Sequence, residues 1–535
     1  MGAVAAQRGR TLPAPDRARA LASGVPWTVV GLLALVVISV LLRSQAIHAR
    51  FWIDEGLSVG IADRPFTDIP GILRQDGAPP LYYLLLHVWM SFAGTGEGDT
   101  HALSLLFAVL CVPAGFWSGR TLFGRRAGWF AAVLLALSPY LTFYAQETRM
   151  YSLVALESLL VVTTFALVFA ARRRAWLPAF TGSLLALVLT HNWGLFAGVA
   201  SVAALAKLVH LAPDGERRAL LRDAAIGYGA TAVLYLPWLP TLIFQARHTG
   251  APWAVRPKLS DLVGGLGLTV GGQTTALAIA FVGGGGLAAL LLGRPAAALL
   301  RDTVSAEGRR ARAALAILTI GLGGILVAFL ASQASPAWAN RYFAVFVPPI
   351  LLAMAFGLSR AGRIGVVALA VVAVLWFDPR TGQLNAKGNA HTVGVLARDA
   401  VLPGDLVIST HPEQVPVLHY YFPPGLRWAS ALGPFPDTGV MDWRDALPRL
   451  RAAHPSQIAA PLLAATRPGQ SVLLVQPIIR TGSWRAPWTM LVRRRAAQWE
   501  RLLDHEPRLV REGVLQQYGQ RRPPRGVRAV RYRVR

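Results

Sequence analysis

Acidic side chains stand at two places where a polar segment interrupts long apolar stretches of the sequence. Asp54 and Glu55 follow the first apolar stretch, and Glu147 lies in a later polar turn. A carboxylate can act as a general base for a hydroxyl group, or its oxygens can hold a divalent cation. We therefore take Asp54, Glu55 and Glu147 as candidate catalytic residues. No cofactor is firmly indicated, but Asp54 and Glu147 are also candidate ligands of a divalent cation such as Mg²⁺ or Mn²⁺.

The residues around these acids distinguish them from ordinary surface acids. Two adjacent acids in an exposed loop are usually solvated. Here Phe51-Trp52-Ile53 directly precede Asp54 and would seat it at a membrane interface, where solvation is reduced. A short turn can place Glu147 opposite Asp54 within one cleft. The alternative for Glu147 is an ion pair with Arg149 inside the same turn.

Cationic side chains occupy polar turns of the same kind and are suited to a phosphate. A guanidinium matches phosphate in a planar, bidentate way, which makes Arg149 and Arg341 candidate phosphate-binding residues. His191, at the end of an apolar segment, is a third candidate, although a lone histidine there is more often a hydrogen-bonded structural residue. Several cations above an apolar bundle suit a lipid whose phosphate lies at headgroup level. Candidate substrate-binding aromatics near these groups are Tyr82, Tyr151 and Tyr342.

The overall composition indicates a membrane protein. Of 535 residues, 54% are apolar and 15% charged, and the mean hydropathy is +0.44. The net charge of +26 does not indicate nucleic-acid binding, because much of it lies in short loops between apolar segments. Arginine clusters mark cytoplasmic loops, since moving a guanidinium across the bilayer is costly. These clusters are Arg8-Gly9-Arg10, Arg120 to Arg126, Arg172-Arg173-Arg174, Arg217-Arg218, Arg309 to Arg312 and Arg360 to Arg363.

The spacing of these clusters predicts about eleven transmembrane helices of the usual length, with the N-terminus inside and the C-terminus outside. The first segment could be a cleaved signal peptide, but an uncleaved anchor is favoured because many spans follow. The predicted spans are Val25–Leu42, Ala102–Gly119, Ala127–Phe143, Tyr151–Ala171, Trp176–Thr190, Leu195–Leu211, Ala224–Phe244, Leu262–Leu292, Ala313–Leu330, Phe343–Leu358 and Ile364–Phe377.

Two segments need a separate interpretation. Pro79 to Phe92 has a short apolar stretch rich in Tyr, His and Trp, which predicts a helix lying at the outer membrane surface. Gly264 to Gly286 is rich in glycine, but no Gly-Lys-Ser/Thr follows, so it is not a phosphate loop. Glycine in a membrane helix usually permits close packing.

The predicted organisation has three parts. Residues 1–24 form a basic cytoplasmic segment, residues 25–378 a helical membrane domain with an outward first loop at 44–101, and residues 379–535 an extracytoplasmic α/β domain. In the last part, 405–409 and 471–475 predict buried strands, and Val393–Ala400 and Trp443–Ala453 predict helices. Its basic tail is a solvated or headgroup-contacting surface, or alternatively a contact for an acidic glycan or lipid phosphate. The single cysteine, Cys111, excludes an intrachain disulfide.

Several strings of residues, in this order, resemble the GT-C glycosyltransferases. The closest branch is the protein O-mannosyltransferase and aminoarabinose-transferase type, which uses polyprenyl-phosphate sugars. The resemblance covers roughly residues 25 to 375. The strings are Phe51-Trp52-Ile53-Asp54-Glu55, then 76–83 (Asp-Gly-Ala-Pro-Pro-Leu-Tyr-Tyr), 119–128 (Gly-Arg-Thr-Leu-Phe-Gly-Arg-Arg-Ala-Gly) and 144–152 (Tyr-Ala-Gln-Glu-Thr-Arg-Met-Tyr-Ser).

The resemblance implies a multi-span bundle, an outward first loop with interfacial helices and often a soluble C-terminal domain. It implies that Asp54 is the base or the acceptor-orienting carboxylate, that Glu147 is the acid of the second outward loop, and that Arg341 contacts the lipid phosphate. It also implies single-displacement inversion. Ala78 departs from the pattern, because many relatives carry His before Pro-Pro.

We therefore expect an integral-membrane glycosyltransferase of the plasma membrane, with its active site on the extracytoplasmic side. It would transfer a mannose- or arabinose-type sugar from a polyprenyl-phosphate donor to a lipid, glycan or protein acceptor in the cell envelope. The absence of a Rossmann or Walker fingerprint fits, because such a donor needs no nucleotide site. The alternatives are a flippase for lipid-linked sugars and a non-catalytic scaffold that binds cell-wall polymer. Among acids, only Glu157 lies deep in a span, which disfavours a transporter.

Overall fold

The computed structural model describes residues 27–290, 295–478, 485–515 and 526–535. The basic segment predicted at 1–24, with its Arg8-Gly9-Arg10 cluster, lies outside the described residues, as does part of the basic tail.

Apolar helices dominate the first two thirds of the chain, which is a multi-pass membrane protein. Five helical segments of the described chain are long and apolar enough to cross a membrane, or six if one bent pair counts as a span. The predicted fold class, a helical membrane bundle with a C-terminal α/β domain, is confirmed. The number of about eleven spans stays a prediction. The long segments are Glu97–Phe123, Tyr151–Ala170, Gly194–Leu211, Ala306–Ala334 and one within Gly362–Arg398, and the shorter apolar helices are Trp27–Arg43, Leu81–Ala93, Arg174–Thr190, Thr274–Ala288 and Val347–Arg360.

Two spans that the sequence predicts as single helices are each broken in two. The predicted span Ala127–Phe143 consists of Arg125–Leu137 and Pro139–Tyr144. It breaks at Ser138, whose hydroxyl caps the second helix, while Pro139 has no N–H to continue the first. The predicted span Ala224–Phe244 is the bent pair Asp214–Tyr235 and Leu239–His248, whose axes differ by 70°.

The glycine-rich segment predicted as the span Leu262–Leu292 is also interrupted. Gly271 and Gly272 adopt φ values of +82° and +115°, which L-residues rarely take, so the helix stops there. The prediction that its glycines permit close packing is confirmed, because a Cβ on Gly286 would lie 2.0 Å from the carbonyl oxygen of Gly357. The pieces are the α-helices Leu259–Thr269, Gln273–Ala278 and Gly284–Ala288, with a π-helical turn at Ile279–Gly283.

The first loop folds into three short helices, Ile53–Ala62, Ile69–Asp76 and Leu81–Ala93. Asp54 and Glu55 occupy the first turn of Ile53–Ala62, where the partial positive charge of the helix N-terminus favours acidic side chains. The segment Pro79–Phe92, predicted as an interfacial helix, is helical at Leu81–Ala93. Gly77, at φ +99°, ends the helix Ile69–Asp76.

The C-terminal part contains a mixed six-stranded sheet in the order β3-β2-β1-β4-β6-β5. Strand β1 (Leu406–Ser409) pairs in parallel with both β2 (Arg427–Ser430) and β4 (Ser471–Pro477). β3 (Gly433–Pro434), β5 (Leu509–Leu515) and β6 (Val527–Val534) complete it in antiparallel pairings. The two predicted strands are therefore present, as β1 and β4. The predicted helices occur as Ala390–Arg398 and Ala446–Ala452, and the other helices are Thr381–Asn385, Val415–Tyr421, Pro455–Ala464 and Pro487–Asp504.

The first-loop helix Ile53–Ala62 lies directly against the C-terminal sheet domain. Its apolar side chains Trp52, Ile53 and Leu57 belong to the same buried cluster as Trp443 and Trp488 of that domain. A helix that would otherwise lie exposed beside the bundle is thus buried on two sides. Its carboxylates are held between the membrane bundle and the soluble domain.

Candidate active site

Glu55 is fully buried and accepts contacts from three parts of the chain. Its Oε1 lies 2.6 Å from His101 Nε2 and 3.0 Å from the backbone nitrogen of Thr148. Its Oε2 lies 2.7 Å from Lys387 Nζ and accepts a hydrogen bond from the backbone of Trp52. Since both oxygens are occupied, Glu55 joins the first loop, the helix after it, the Glu147 turn and the C-terminal segment.

Electrostatics keep this buried carboxyl ionised. Burial alone would raise the pKa of Glu55, but the charges of Lys387 and His101 and their hydrogen bonds outweigh burial and lower the pKa to about 2. A carboxylate with so low a pKa is a poor general base near neutral pH. The position of Glu55 therefore suits a structural centre better than the catalytic role predicted beside Asp54.

Lys387 links this centre to Glu147. Its ammonium lies 3.6 Å from Glu147 Oε1, and all three side chains of the Glu55–Lys387–Glu147 chain are at least nine-tenths buried. Lys387 comes from the segment that follows the last apolar helix, just after Thr381–Asn385. Glu147 and Lys387 both line a cavity of about 680 Å³.

The cavity has the size of a small-molecule site. It lies between the Glu147 turn, the segment 255–265 and the segment 338–341. Its lining brings three kinds of group together: the carboxylates Glu147 and Asp261, the cations Arg341 and Lys387, and aromatic rings. The aromatic lining residues are Trp52, Phe143, Tyr144 and Trp338.

Asp54 meets the cavity through Arg341. Oδ2 of Asp54 lies 3.7 Å from Nε of Arg341, too far for a hydrogen bond, and within the described chain neither atom has a hydrogen-bond partner although both are buried. The Arg341 guanidinium lies over the rings of Trp253, at 4.6 Å, and Tyr342, at 5.3 Å. A loosely paired acid and cation with unused hydrogen-bonding capacity are ready for a ligand between them.

Arg149 is directed at the backbone of the Asp54 helix and not at the cavity. It donates to the carbonyl oxygen of Asp54 at 3.1 Å and to the hydroxyl of Ser58 at 2.9 Å. The alternative considered from sequence, an ion pair of Arg149 with Glu147, stays a prediction. Arg149 therefore fixes the position of Asp54, and its phosphate-binding role stays a prediction.

Asp76 is a third carboxyl near Asp54, and it was given no role from sequence. Burial raises the pKa of Asp76 to about 6; the charge of Arg149 opposes this rise and that of Asp54 adds to it. The residue belongs to the string Asp76-Gly77-Ala78-Pro79-Pro80, so the signal was present in the sequence. Asp76 is therefore a proton-binding group with a pKa of about 6 beside Asp54 and Arg149.

His191 lies in an aromatic cluster behind the cavity. Its Nδ1 accepts a hydrogen bond from the backbone of Trp193 at 3.1 Å, and its ring centre is 4.8 Å from that of Tyr342. Burial and the charges of Arg149 and Arg341 lower the pKa of His191 to about 3. The imidazole is therefore neutral, so it can offer a phosphate a hydrogen bond but no charge.

The three predicted substrate-binding tyrosines occupy different places. Tyr151 and Tyr342 belong to the aromatic cluster, with ring centres 6.3 Å apart, and Tyr151 also packs on the cavity residue Tyr144 at 4.9 Å. Tyr82 is fully buried and packs edge-to-face on Tyr83. The structure thus brings two of the three next to the cavity.

The divalent-cation site predicted at Asp54 and Glu147 stays a prediction. Within the described ranges no three His, Cys, Asp or Glu side chains form a group that could hold a metal ion. Glu147 faces Lys387, and Asp54 faces Arg341, so protein cations already stand beside both carboxylates. We derive no chemical step through a metal.

The acid deep in a span has a packing partner. Glu157 accepts a hydrogen bond from the hydroxyl of Thr190 at 2.9 Å, far along the sequence but adjacent in the bundle. One oxygen of this carboxyl group therefore has a partner in the bundle, while the other, Oε2, is buried without a hydrogen bond among the described residues.

Comparison with known proteins identifies the fold. No protein-family model matches the chain. No curated protein matches it in sequence. Among solved structures, apo ArnT from Cupriavidus metallidurans is similar with a TM-score of 0.61 and 15% identity, over 94% of this chain and 97% of that one. ArnT bound to undecaprenyl phosphate gives a TM-score of 0.59 at 14% identity, over 95% and 98%.

Two further structures share the architecture. The mycobacterial arabinofuranosyltransferase AftD is similar with a TM-score of 0.54 and 17% identity, over 94% of this chain and 40% of that one. The oligosaccharyltransferase AglB from Archaeoglobus fulgidus, in complex with an inhibitory peptide and a dolichol-phosphate, gives 0.51 at 12% identity, over 84% and 70%.

The chain has the GT-C fold. The resemblance drawn from the four residue strings is thereby confirmed. Within this GT-C fold, Asp54 lies on the first-loop helix and Glu147 in a turn facing it, while Lys387 enters from the segment that leads into the sheet domain.

Proposed function

We propose that this protein is a membrane glycosyltransferase that transfers a mannose- or arabinose-type sugar from a polyprenyl-phosphate donor to an acceptor in the cell envelope. The site would lie on the extracytoplasmic side of the plasma membrane. The observation that carries the proposal is the partly buried pair Asp54 and Arg341 beside the cavity of about 680 Å³, whose facing atoms Oδ2 and Nε are buried, 3.7 Å apart and without a hydrogen bond between them. The complexes of ArnT with undecaprenyl phosphate and of AglB with a dolichol-phosphate support a lipid-phosphate donor.

The proposed reaction is a single displacement with inversion at the anomeric carbon. An acceptor hydroxyl oxygen forms the new bond to that carbon, while the bond to the phosphate oxygen breaks and its electron pair leaves on the lipid phosphate. Asp54 takes the hydroxyl proton as general base. Arg341 and Lys387 stabilise the negative charge that develops on the phosphate, because both cations line the cavity.

The other residues of the site position these groups. Glu55 holds Lys387 at 2.7 Å and fixes the first turn of the Asp54 helix through the backbone of Trp52. Glu147 lies on the far side of Lys387 and faces the cavity, where it can orient hydroxyl groups of the sugar or the acceptor. Arg149 holds the backbone carbonyl of Asp54.

The proposal is tested with the purified full-length protein and a panel of polyprenyl-phosphate sugars, mannose and arabinose carriers among them, with cell-envelope extract as acceptor. Release of free polyprenyl phosphate is measured. We expect turnover with at least one donor, and a fall of about 10²–10⁴ in Asp54→Asn with donor binding retained. Asp63→Asn is the matched control, since Asp63 is an exposed acid at the end of the same helix. No release from any donor, or full activity of Asp54→Asn, would contradict the proposal.

The role of Glu147 is separated from metal binding by a second experiment. Glu147→Gln should slow turnover, and added Mg²⁺ or Mn²⁺ should not restore it if Glu147 orients hydroxyl groups. Asp54→Asn combined with Glu147→Gln should be scarcely slower than the slower single variant, because residues that work as a unit are not additive. Recovery with either metal would instead make Glu147 a metal ligand.

A further inference from the structure

A second cavity, of about 230 Å³, lies where the first loop meets the C-terminal sheet domain. We call it the seam cavity. The first loop contributes Gln75, whose carbonyl oxygen accepts a hydrogen bond from the backbone of Trp443 and whose side-chain oxygen lies 3.3 Å from Arg444. The sheet domain contributes apolar side chains, among them Leu432, Phe435 and Met441. It also contributes the charged side chains of Asp442 and Arg449.

The seam cavity borders the carboxyl end of one parallel strand of the sheet domain. Ser430, the last residue of β2, lines it, and β2 runs parallel to β1, which in turn runs parallel to β4. Ligands of α/β sheets bind outside the carboxyl ends of the strands where the strand order reverses, which here is between β1 and β4, one strand away from β2. After β2 the chain forms the two-residue strand β3 and then the loop 435–442. Residues of this loop complete the lining of the cavity.

The charges of the seam cavity are already balanced by the protein. Asp442 is paired with Arg444 at 2.9 Å and with Arg449 at 3.1 Å. Asp437 is paired with Arg64 of the first loop. Because both carboxylates are paired with guanidiniums, two for Asp442 and one for Asp437, neither carboxylate is left to bind a free cation. A neutral ligand with several hydroxyl groups fits it better than a phosphate or a free cation.

The rim and floor also match what a sugar ring offers. Carboxylate, guanidinium and amide groups supply donors and acceptors for hydroxyl groups, and the ring of Phe435 supplies an apolar surface for one sugar face. The volume is below the range of pockets for drug-sized ligands, which suits a single small unit.

Neighbouring residues of the helix Ile69–Asp76 contact the seam cavity and the candidate active site. Gln75 lines it, and the next residue, Asp76, interacts electrostatically with Asp54 and Arg149. A sugar unit bound in the seam cavity would therefore lie at the end of the helix Ile69–Asp76 whose last residue interacts with Asp54.

We propose that the seam cavity binds one neutral sugar unit of the acceptor, so that the acceptor is a glycan held by the sheet domain while its terminal hydroxyl reaches Asp54. This rests on the proposed glycosyltransferase function. It assigns the C-terminal domain a direct part in acceptor recognition.

The test uses the full-length protein in detergent, with methyl α-mannopyranoside and methyl α-arabinofuranoside as probes and saturation-transfer NMR as readout. Phe435→Ala removes the apolar surface, and Leu432→Trp fills the cavity while keeping the floor apolar. We expect either change to weaken probe binding by about tenfold or more, the effect of losing one or two good contacts. Leu402→Ala, at a position 73% exposed on the same domain, is the control and should bind as the wild type does.

Binding of the polyprenyl-phosphate donor is measured in parallel, because it reports the proposed function separately. Weakened probe binding with donor binding kept supports the acceptor site. Probe binding that is unchanged in both cavity variants, or undetectable in the wild type, would overturn it, whatever the donor result. If the donor is neither bound nor consumed while the probes still depend on Phe435 and Leu432, the glycan site stands and the transferase proposal fails.

Discussion

Gly60 of the first-loop helix lies against the backbone of Gly439 in the sheet domain, so close that a Cβ on Gly60 would come within 2.1 Å of the Gly439 carbonyl oxygen. Gly56, one turn earlier, meets the backbone of Val417 in the same way, at 2.7 Å. These two glycines allow the helix that carries Asp54 to lie flush on the sheet domain. The geometry of Asp54 therefore depends on a contact between domains.

A methyl group at position 60 should separate the two surfaces. We expect Gly60→Ala to cost about 1–3 kcal/mol of stability, as overpacking usually does, and to lower turnover because the Asp54 helix shifts. Gly71→Ala is the matched control, since a Cβ on Gly71, in the neighbouring first-loop helix, meets nothing within 4 Å. Melting temperature and turnover are measured for both. Equal melting temperatures and turnover in Gly60→Ala and Gly71→Ala would show that the Gly60–Gly439 contact can accommodate a methyl group.

Removal of the Lys387 charge should leave two buried carboxylates without their cation. Lys387→Met keeps most of the side-chain volume, and loss of one partner from a buried ion pair typically costs about 3–5 kcal/mol. Addition of Glu55→Gln should recover part of that loss, because the uncompensated charge disappears. Unfolding of the single and double variants in denaturant is compared with that of Lys207→Met, which changes an exposed lysine. Additive losses would argue against the coupling.

Arg341 and Arg149 should differ in which step they affect. Arg341 lines the cavity, so Arg341→Ala should weaken donor-lipid binding by about 2–5 kcal/mol, the usual cost of losing a buried charged contact. Arg341→Lys should restore only part, because an ammonium cannot replace a planar fork. Arg149 holds the Asp54 backbone, so Arg149→Ala should lower turnover more than donor affinity. Donor titrations of all three variants, with the exposed Arg363→Ala as control, decide between these outcomes.

The raised pKa of Asp76 makes stability depend on pH. Its pKa is about 6 in the folded protein against 3.8 in its ordinary state, so the folded form holds the proton more tightly. The folded state therefore loses stability as the pH rises from 3.8 to about 6, and above pH 6 the loss of stability stays constant. Relative to the wild type, Asp76→Asn should gain melting temperature from about pH 4 to about pH 7 and then stay level. A difference in melting temperature that does not vary with pH would mean that the pKa of Asp76 is not raised.

The sequence was sufficient to predict the fold class, and it named the charged residues that line or border the candidate site. The lengths of the apolar segments and the positions of the arginine clusters can be read from local composition, which is enough to predict a membrane bundle. The residue strings around Asp54 and Glu147, and the Arg341-Tyr342 pair, single out Asp54, Glu147 and Arg341. The breaks at Ser138-Pro139 and Gly271-Gly272 were read as parts of continuous spans, because composition alone does not register a local loss of helical hydrogen bonds.

The partners of Glu55 could not be derived from sequence. Lys387 is 332 positions away from Glu55, and their contact exists only because the segment after the last apolar helix folds back onto the first loop. The burial of Glu55, which separates it from its neighbour Asp54, has the same long-range origin.

The late position of Lys387 has a consequence for biosynthesis. At about 5–20 residues per second, a ribosome needs on the order of tens of seconds to proceed from Glu55 to its ammonium partner. Until then, closing the cleft would bury Glu55 with His101 but without the charge of Lys387, and Glu147 without the charge of Lys387, which is unfavourable. We expect nascent chains arrested before Lys387 emerges to leave a cysteine at position 148 open to thiol reagents, in a Thr148→Cys, Cys111→Ser background, and longer chains to protect it. The order of translation would thus delay closing of the cleft until the segment after the last apolar helix has been made.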